Sequence, residues 1–259
     1  MYYIGIDIGS TSTKVAVYDA NSKSFSDMFF MPTGFSGVEI SKQIYQMLLE
    51  KNYMPFYITA TGYGRVSVDY ANLTLTEILC HGVGAYYLFK KDCTVIDVGG
   101  QDTKAIMLTN GLPEDFIMND KCSAGTGKFI EVMANRLGLE LAQIYEVAIQ
   151  NEDIKISSTC TVFAESEIIS LMASGVSKEH IAFAIINSSA KKVASLAKRL
   201  ESEVYFLSGG LSKVPLFIEL LSKELNKEVF THENALYCGA IGASLMGFRK
   251  DIKKEKKWV

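Results

Sequence analysis

The chain has 259 residues, with 26 Lys and Arg against 29 Asp and Glu, so its formal charge of −3 offers no field that would gather nucleic acid. Hydrophobic residues make up 48% and charged residues 21%, the balance of a globular protein with a real core, and no apolar run approaches the ~18 residues of a membrane span. The N-terminus enters a strand-like YYIGIDIG with no cationic leader, so a cytoplasmic location is expected, and cysteines 80, 93, 122, 160 and 238 in a reducing compartment are not a disulfide framework.

Alternating and β-branched stretches at 3–8, 14–18 and 24–31 predict an antiparallel meander, with the hydroxyl-rich turn DIGSTSTK between its first two strands. A helix over 37–51 follows, then an apolar strand FYITA, a glycine turn TGYGR and a helix TEILCHGVGAYYLF. The opening pattern then returns. TVIDVGGQDTKAIML has the shape of YIGIDIGSTSTKVAVY, and Asp7–Lys14 aligns with Asp97–Lys104. Two such turns in register predict an α/β protein of two related halves. One lobe would comprise 1–92 with 235–259 and the other 93–234, joined around a cleft without a Pro/Ser-rich linker.

Further on, 124–138 and 162–174 read as helices and 178–201 as a long amphipathic one. EVYFLSGGLSKVP predicts strand, glycine turn, and a helix with proline in its first turn. The closing NALYCGAIGASLMGFR, 234–249, is a small-residue helix suited to close packing. The basic tail KDIKKEKK at 250–257 contains two acids and reads as a solvated end.

Turns that present successive backbone N–H groups, hydroxyls and a lysine can wrap phosphate oxygens, with glycine permitting close approach. Ser10, Thr11, Ser12, Thr13 and Lys14 supply these groups in the first half. Gly99, Gly100, Gln101, Asp102 and Lys104 supply them in the second. Asp7 and Asp97, at the strand ends, suit a hydrated Mg²⁺. If such a phosphate were hydrolysed, Asp7, Asp97 or Gln101 would be placed to orient the attacking water, and Lys14 or Lys104 to offset charge. A third glycine turn, Ser208-Gly209-Gly210, together with the small-residue segment 234–243, fits an adenosine pocket.

NDKCSAGTGKF, at 119–129, is not a Walker loop. Cys122 stands where the first glycine belongs and Phe129 where the Mg²⁺-binding hydroxyl belongs, although Gly125 and Gly127 keep its backbone open to nucleotide. Cys122 and Cys160 each precede a predicted helix, which would place both thiols at helix N-termini, where thiolate is favoured. Three readings remain for the pair: packing, a redox disulfide, which needs Cα atoms within about 7 Å, or a metal or iron–sulfur site. Two cysteines cannot complete a four-thiolate cluster, but a twofold dimer can. Cys80, Cys93 and Cys238 read as packing, and His81, beside Glu77, as a structural histidine or lobe contact.

DIGSTSTK, ATGYGR, VIDVGGQDTKAI, FIMNDKCSAGTGKFIEVMA and ISSTCTVFAESEIISL together resemble the ATP-dependent activators of 2-hydroxyacyl-CoA dehydratases. This is the BadF/BadG/BcrA/BcrD-type family, which includes the ATPase subunits of benzoyl-CoA reductases. The resemblance spans nearly the whole chain. It implies an actin-like ATPase fold of two duplicated lobes, shared with sugar kinases, acetate kinase and heat-shock chaperones. It further implies ATP/ADP with Mg²⁺, and a homodimer holding one [4Fe–4S] cluster on Cys122 and Cys160 of each subunit. Hydrolysis would be coupled to passing a low-potential electron from a ferredoxin or flavodoxin to a dehydratase or reductase partner. A small-molecule kinase of the same fold and a nucleotide-dependent redox sensor are the alternatives; neither a nucleic acid nor a membrane partner is expected.

Overall fold

A computed structural model describes residues 1–158 and 160–255, with the side chains of 253–255 outside that description. Thr159, within the second cysteine motif, and residues 256–257 of the basic tail therefore lie outside the described residues. By Cα proximity the chain divides into two compact units. One comprises Met1–Val95, Ile106–Asp115 and the chain from His232 onward; the other comprises Ile96–Ala105 and Phe116–Thr231.

The first sheet begins with the meander read from the sequence: β1 (Tyr2–Ile8), β2 (Ser12–Asp19) and β3 (Ser24–Pro32), each antiparallel to the next. Helix α1 (Gly37–Glu50) then crosses to β4 (Phe56–Thr61), which lies parallel to β1 and is followed by the short edge strand β5 (Leu73–Thr74). The order is β3-β2-β1-β4-β5. Ser36 caps α1, its hydroxyl accepting from the Glu39 amide at 3.2 Å.

The two-residue period of β1 divides its side chains between two layers. Ile4, Ile6 and Ile8 pack on Ile40, Ile44 and Leu48, which recur every four residues along α1. Tyr3 faces the other layer, where Val83 of α2 (Glu77–Phe89) meets Ala240, Ile241 and Leu245 of α8 (Cys238–Glu255). Gly5 shares that face, and a Cβ there would run into the Ala240 carbonyl. Asp7, two residues further, is thereby aimed at α2 and α8. The two helices touch backbone to backbone: a Cβ on Gly84 would strike the Cys238 carbonyl, and one on Gly242 the Cys80 carbonyl. Burial pushes the Cys80 and Cys93 thiols up to about 12, consistent with packing cysteines.

The second sheet has the order β10-β9-β6-β7-β8, built from β6 (Thr94–Val98), β7 (Thr103–Thr109), β8 (Leu112–Asn119), β9 (Tyr205–Gly209) and β10 (Val229–Phe230). β6 and β9 are buried along their whole length, as near-continuous apolar runs are when both faces of a sheet are covered. Between β8 and β9 lie α3 (Gly127–Arg136), α4 (Leu141–Val147), α5 (Thr161–Ala173) and α6 (Lys178–Ala197). α6 ends four residues earlier than its apolar pattern predicts, and α3, α4 and α7 (Pro215–Leu225) pack against it. Pro215 opens α7, and Asn226 closes it in the left-handed region with φ +52°. Among the described residues no helix is long and apolar enough to cross a membrane.

Gly242→Ala pushes a methyl group into the Cys80 carbonyl, and a loss of about 1–3 kcal/mol in denaturant-measured stability is expected.

Candidate functional site

The duplicated turns share backbone geometry as well as sequence. Gly9 N–H donates to Ser12 O at 3.2 Å, and Gly99 N–H to Asp102 O at 2.9 Å. In the first turn Ser10 and Thr11 are exposed at the tip. Thr13 is buried, with its hydroxyl 2.9 Å from that of Thr33, which itself donates to Gly9 O at 2.7 Å. Thr13 therefore braces the turn from beneath. Lys14 sits across the strand pair from Asp7, and its Nζ lies over Gly9, 3.3 Å from where a Cβ would be.

Asp7 is 3% exposed and is enclosed by residues that leave it little room. His81 Nε2 is 3.8 Å from Asp7 Oδ2. A Cβ on Gly239 would come within 2.6 Å of Asp7 Oδ2 and 2.8 Å of His81 Nε2. A Cβ on Gly62 (φ +86°) would reach Asp7 Oδ1 at 2.5 Å. The glycine turn TGYGR and the small-residue helix thus form the walls around this carboxylate. Neither carries a polar side chain at the contact, so no functional signal at Gly62 or Gly239 pointed there.

Asp97, also 3% exposed, has a different set of neighbours. Ser208 Oγ donates to Asp97 Oδ1 at 2.8 Å. Lys104 Nζ, itself 3% exposed, lies 3.5 Å from Asp97 Oδ2 and 2.9 Å from Asp102 Oδ2. Lys104 is thus a buried counterion to two carboxylates, while Gly100 is half-buried and Gln101 is exposed on the turn. Gly209, at φ +84°, lies so close that a Cβ would meet the Val98 carbonyl, whereas Gly210 has open space around it. Asp97, the second turn and the SGG turn are therefore brought together within one unit. The link from Ser208 to Asp97 was hidden in the sequence, because a serine at a strand end has many possible partners.

The cysteine loop is tied to the same turn. Gly127 N–H donates to Gly99 O at 3.0 Å and Lys128 N–H to Gly100 O at 2.9 Å. Thr103, directly after the turn, donates its buried hydroxyl to Gly125 O at 2.6 Å. Gly125 holds φ +83°, which breaks the helical path, so α3 starts only at Gly127. The expectation that Cys122 stands at a helix N-terminus is therefore corrected. Cys122 lies in the preceding loop, and the first amides of α3 are bonded to carbonyls of the second turn. Cys160, by contrast, is the N-cap residue of α5, with its carbonyl accepting from Ala164 N–H at 2.9 Å.

Cys122 is half-buried and Cys160 exposed. The residues that follow them are bonded to each other: the hydroxyls of Ser123 and Thr161 are 2.7 Å apart. Asn119 holds the first loop by donating to Cys122 O at 2.9 Å and Ala124 O at 3.2 Å. Glu167 of α5 holds the approach to the second. Burial acts against its charge, but bonds from the side chains and amides of Ser158 and Ser157 outweigh it and keep this carboxyl below its ordinary range. Among the described residues, no group of three or more His, Cys, Asp or Glu could hold a metal ion.

Residues 4–247 match the BadF/BadG/BcrA/BcrD ATPase family. The chain belongs to that family. It is 40% identical over 261 residues to the activator of lactoyl-CoA dehydratase of Anaerotignum propionicum, covering 98% of this chain and all of that one. It is 38% identical to the (R)-2-hydroxyglutaryl-CoA dehydratase activating ATPase of Acidaminococcus fermentans, covering 98% and 99%. The solved activator of 2-hydroxyisocaproyl-CoA dehydratase from Clostridium difficile, with bound ADPNP, superposes with a TM-score of 0.90 at 34% identity, over 99% and 98% of the two chains. A ROK-family glucokinase from Streptomyces griseus, 14% identical with a TM-score of 0.61 over 96% of this chain and all of that one, shares the fold alone. The two five-stranded sheets are those of the actin-like ATPase fold that the family resemblance implied, and this family member is an ATPase.

Lys104→Met leaves Asp97 and Asp102 without their buried counterion, and a loss of about 3–5 kcal/mol is expected in denaturant titration. Adding Asp97→Asn to that variant should recover part of the loss, as a double-mutant cycle would measure.

Proposed function

We propose that this ATPase is the activator of a 2-hydroxyacyl-CoA dehydratase or related reductase. In this reading it works as a homodimer, receives an electron from a ferredoxin or flavodoxin, and delivers it at low potential. A [4Fe–4S] cluster shared by two subunits would be held by Cys122 and Cys160 of each, and when bound it supplies one-electron transfer. The donor set fits: each chain offers two accessible thiols on neighbouring segments and no further ligand group among the described residues, so two chains supply four. The observation that carries the reading is the hydroxyl contact between Ser123 and Thr161, which holds the two cysteine segments together within one chain.

The phosphate chain of ATP is assigned to Ser10–Lys14 and Gly99–Gln101, and the adenosine side to Gly209 and Gly210. Asp7 and Asp97 would hold the waters of a Mg²⁺ ion, whose role is to offset phosphate charge. Asp7, Asp97 or Gln101 orients the attacking water. Lys14 is better suited than Lys104 to meet phosphate, because Lys104 is already engaged by Asp97 and Asp102. Gly125 and Gly127 act through close approach, since the Gly127 amide is bonded to Gly99 O. The lobes assigned to this function are 1–92 with 235–259, and 93–234.

Coupling between nucleotide and cysteines follows from the tethers around the second turn. Any shift of Gly99 or Gly100 pulls on the start of α3, and any shift of Thr103 pulls on Gly125. The loop bearing Cys122 must respond.

Anaerobic purification should yield about four irons per dimer, and Cys122→Ser should lose them; iron-free protein under strict anaerobiosis would sink the cluster assignment. Asp97→Asn should abolish ATP turnover, and an unchanged rate removes Asp97 from the chemistry. In Thr103→Val, nucleotide binding should persist while the nucleotide-induced change in hydrogen exchange over 119–126 disappears; Thr103→Ser should restore it.

A further inference from the structure

A cavity of about 240 Å³ lies behind the cysteine loop, within the second unit. Its lining includes Thr103, Asn119 and Gly125, and Lys192, Ser195 and Arg199 from α6 and the turn after it. The function proposed above uses the backbone tether between Thr103 and Gly125 but none of the charged residues of this lining. Lys192 and Arg199 are seven residues apart, one on α6 and one just beyond its end, and both line the cavity. Among the described residues neither cation takes part in an ion pair. Their neighbours do: Lys191 pairs with Glu224 at 3.9 Å, Lys128 with Glu131 at 2.9 Å and Lys223 with Glu152 at 2.5 Å. In a chain of net charge −3, two cations outside any ion pair and a hydroxyl residue on the rim of one cavity, with Ser195 and Arg199 exposed, form a local attraction for an anion. At about 240 Å³ the cavity has room for a small oxyanion.

We propose that this cavity is an oxyanion site that takes inorganic phosphate, held by the Lys192 ammonium, the Arg199 guanidinium and the Ser195 hydroxyl. Occupancy would stiffen the loop carrying Cys122. The link is steric: a Cβ on Gly125 would lie 3.0 Å from Lys192 Cγ and 3.2 Å from its Cβ, so the lysine stem already rests against the loop backbone. Fixing the ammonium head on an anion removes the freedom of that stem. The carbonyl of Gly125 is held from the other side by Thr103. Phosphate released by ATP hydrolysis would then act back on the cysteine segment. This consequence rests on the proposed role of Cys122; binding in the cavity does not.

The test uses the full chain under anaerobic conditions, saturated with a non-hydrolysable ATP analogue so that the phosphate turns are occupied. Inorganic phosphate is titrated against chloride at equal ionic strength while hydrogen exchange over 119–126 is followed. Saturable protection by phosphate and none by chloride is expected. Lys192→Gln and Arg199→Gln should each weaken the midpoint about tenfold, the loss of one charged hydrogen bond, and Lys191→Gln should leave it unchanged. Equal protection by chloride, no protection, or a midpoint indifferent to both variants overturns the site. Protection by succinate in place of phosphate overturns the phosphate assignment. Failure of the analogue to alter exchange anywhere in the chain counts against the nucleotide assignment, while the Lys192 and Arg199 variants still decide the cavity.

Discussion

Two backbone hydrogen bonds, from the amides of Gly127 and Lys128 to the carbonyls of Gly99 and Gly100, join the second phosphate-type turn to the segment that carries Cys122. A helix start normally leaves its first amides open to solvent, a side-chain cap or a ligand. Here they are bonded to the turn, and the buried Thr103 hydroxyl adds a third tether to Gly125. Most other features of this region follow from that constraint. α3 cannot begin before Gly127, Gly125 must take a positive φ to bring the chain round, and Cys122 is left on a short loop held by Asn119.

The internal duplication is preserved in its backbone and altered in its side chains. Each half keeps an aspartate at the end of its first strand, the same turn hydrogen bond, and a buried threonine that ties the turn to the segment following its third strand. Thr13 reaches Thr33 and Thr103 reaches Gly125. The surroundings of the aspartates differ. Asp7 is enclosed by glycines and His81, so close approach governs its environment. Asp97 is charge-matched by Lys104 and hydrogen-bonded by Ser208. Two carboxylates alike in the primary structure therefore meet different electrostatic conditions.

Much of the fold was legible because strand and helix periods leave a direct imprint on the order of residues. The alternation of Ile4, Ile6 and Ile8 with Tyr3, Gly5 and Asp7 contains both layers of the first sheet. The small residues from Ala235 to Gly247 announced a close helix crossing, which Gly84 and Gly242 provide. Contacts between residues far apart in the chain were not legible. Glu167 binding Ser157 and Ser158, Ser208 reaching Asp97, and Lys192 resting on Gly125 all depend on where distant elements are placed.

By itself the amino-acid order determined the repeated Asp-to-Lys turns, the glycine turn after β9, the pair of cysteine motifs and the family to which they belong. These are local patterns, and a turn's chemistry lies within a few neighbouring residues. Only the tertiary structure decided that Cys122 lies in a loop rather than at a helix end, that Lys104 is a buried counterion, and that Ser123 meets Thr161. Each outcome depends on a hydrogen bond or ion pair whose partners are brought together by packing. Local propensity constrains the conformation of one partner and contains nothing about the distance to the other.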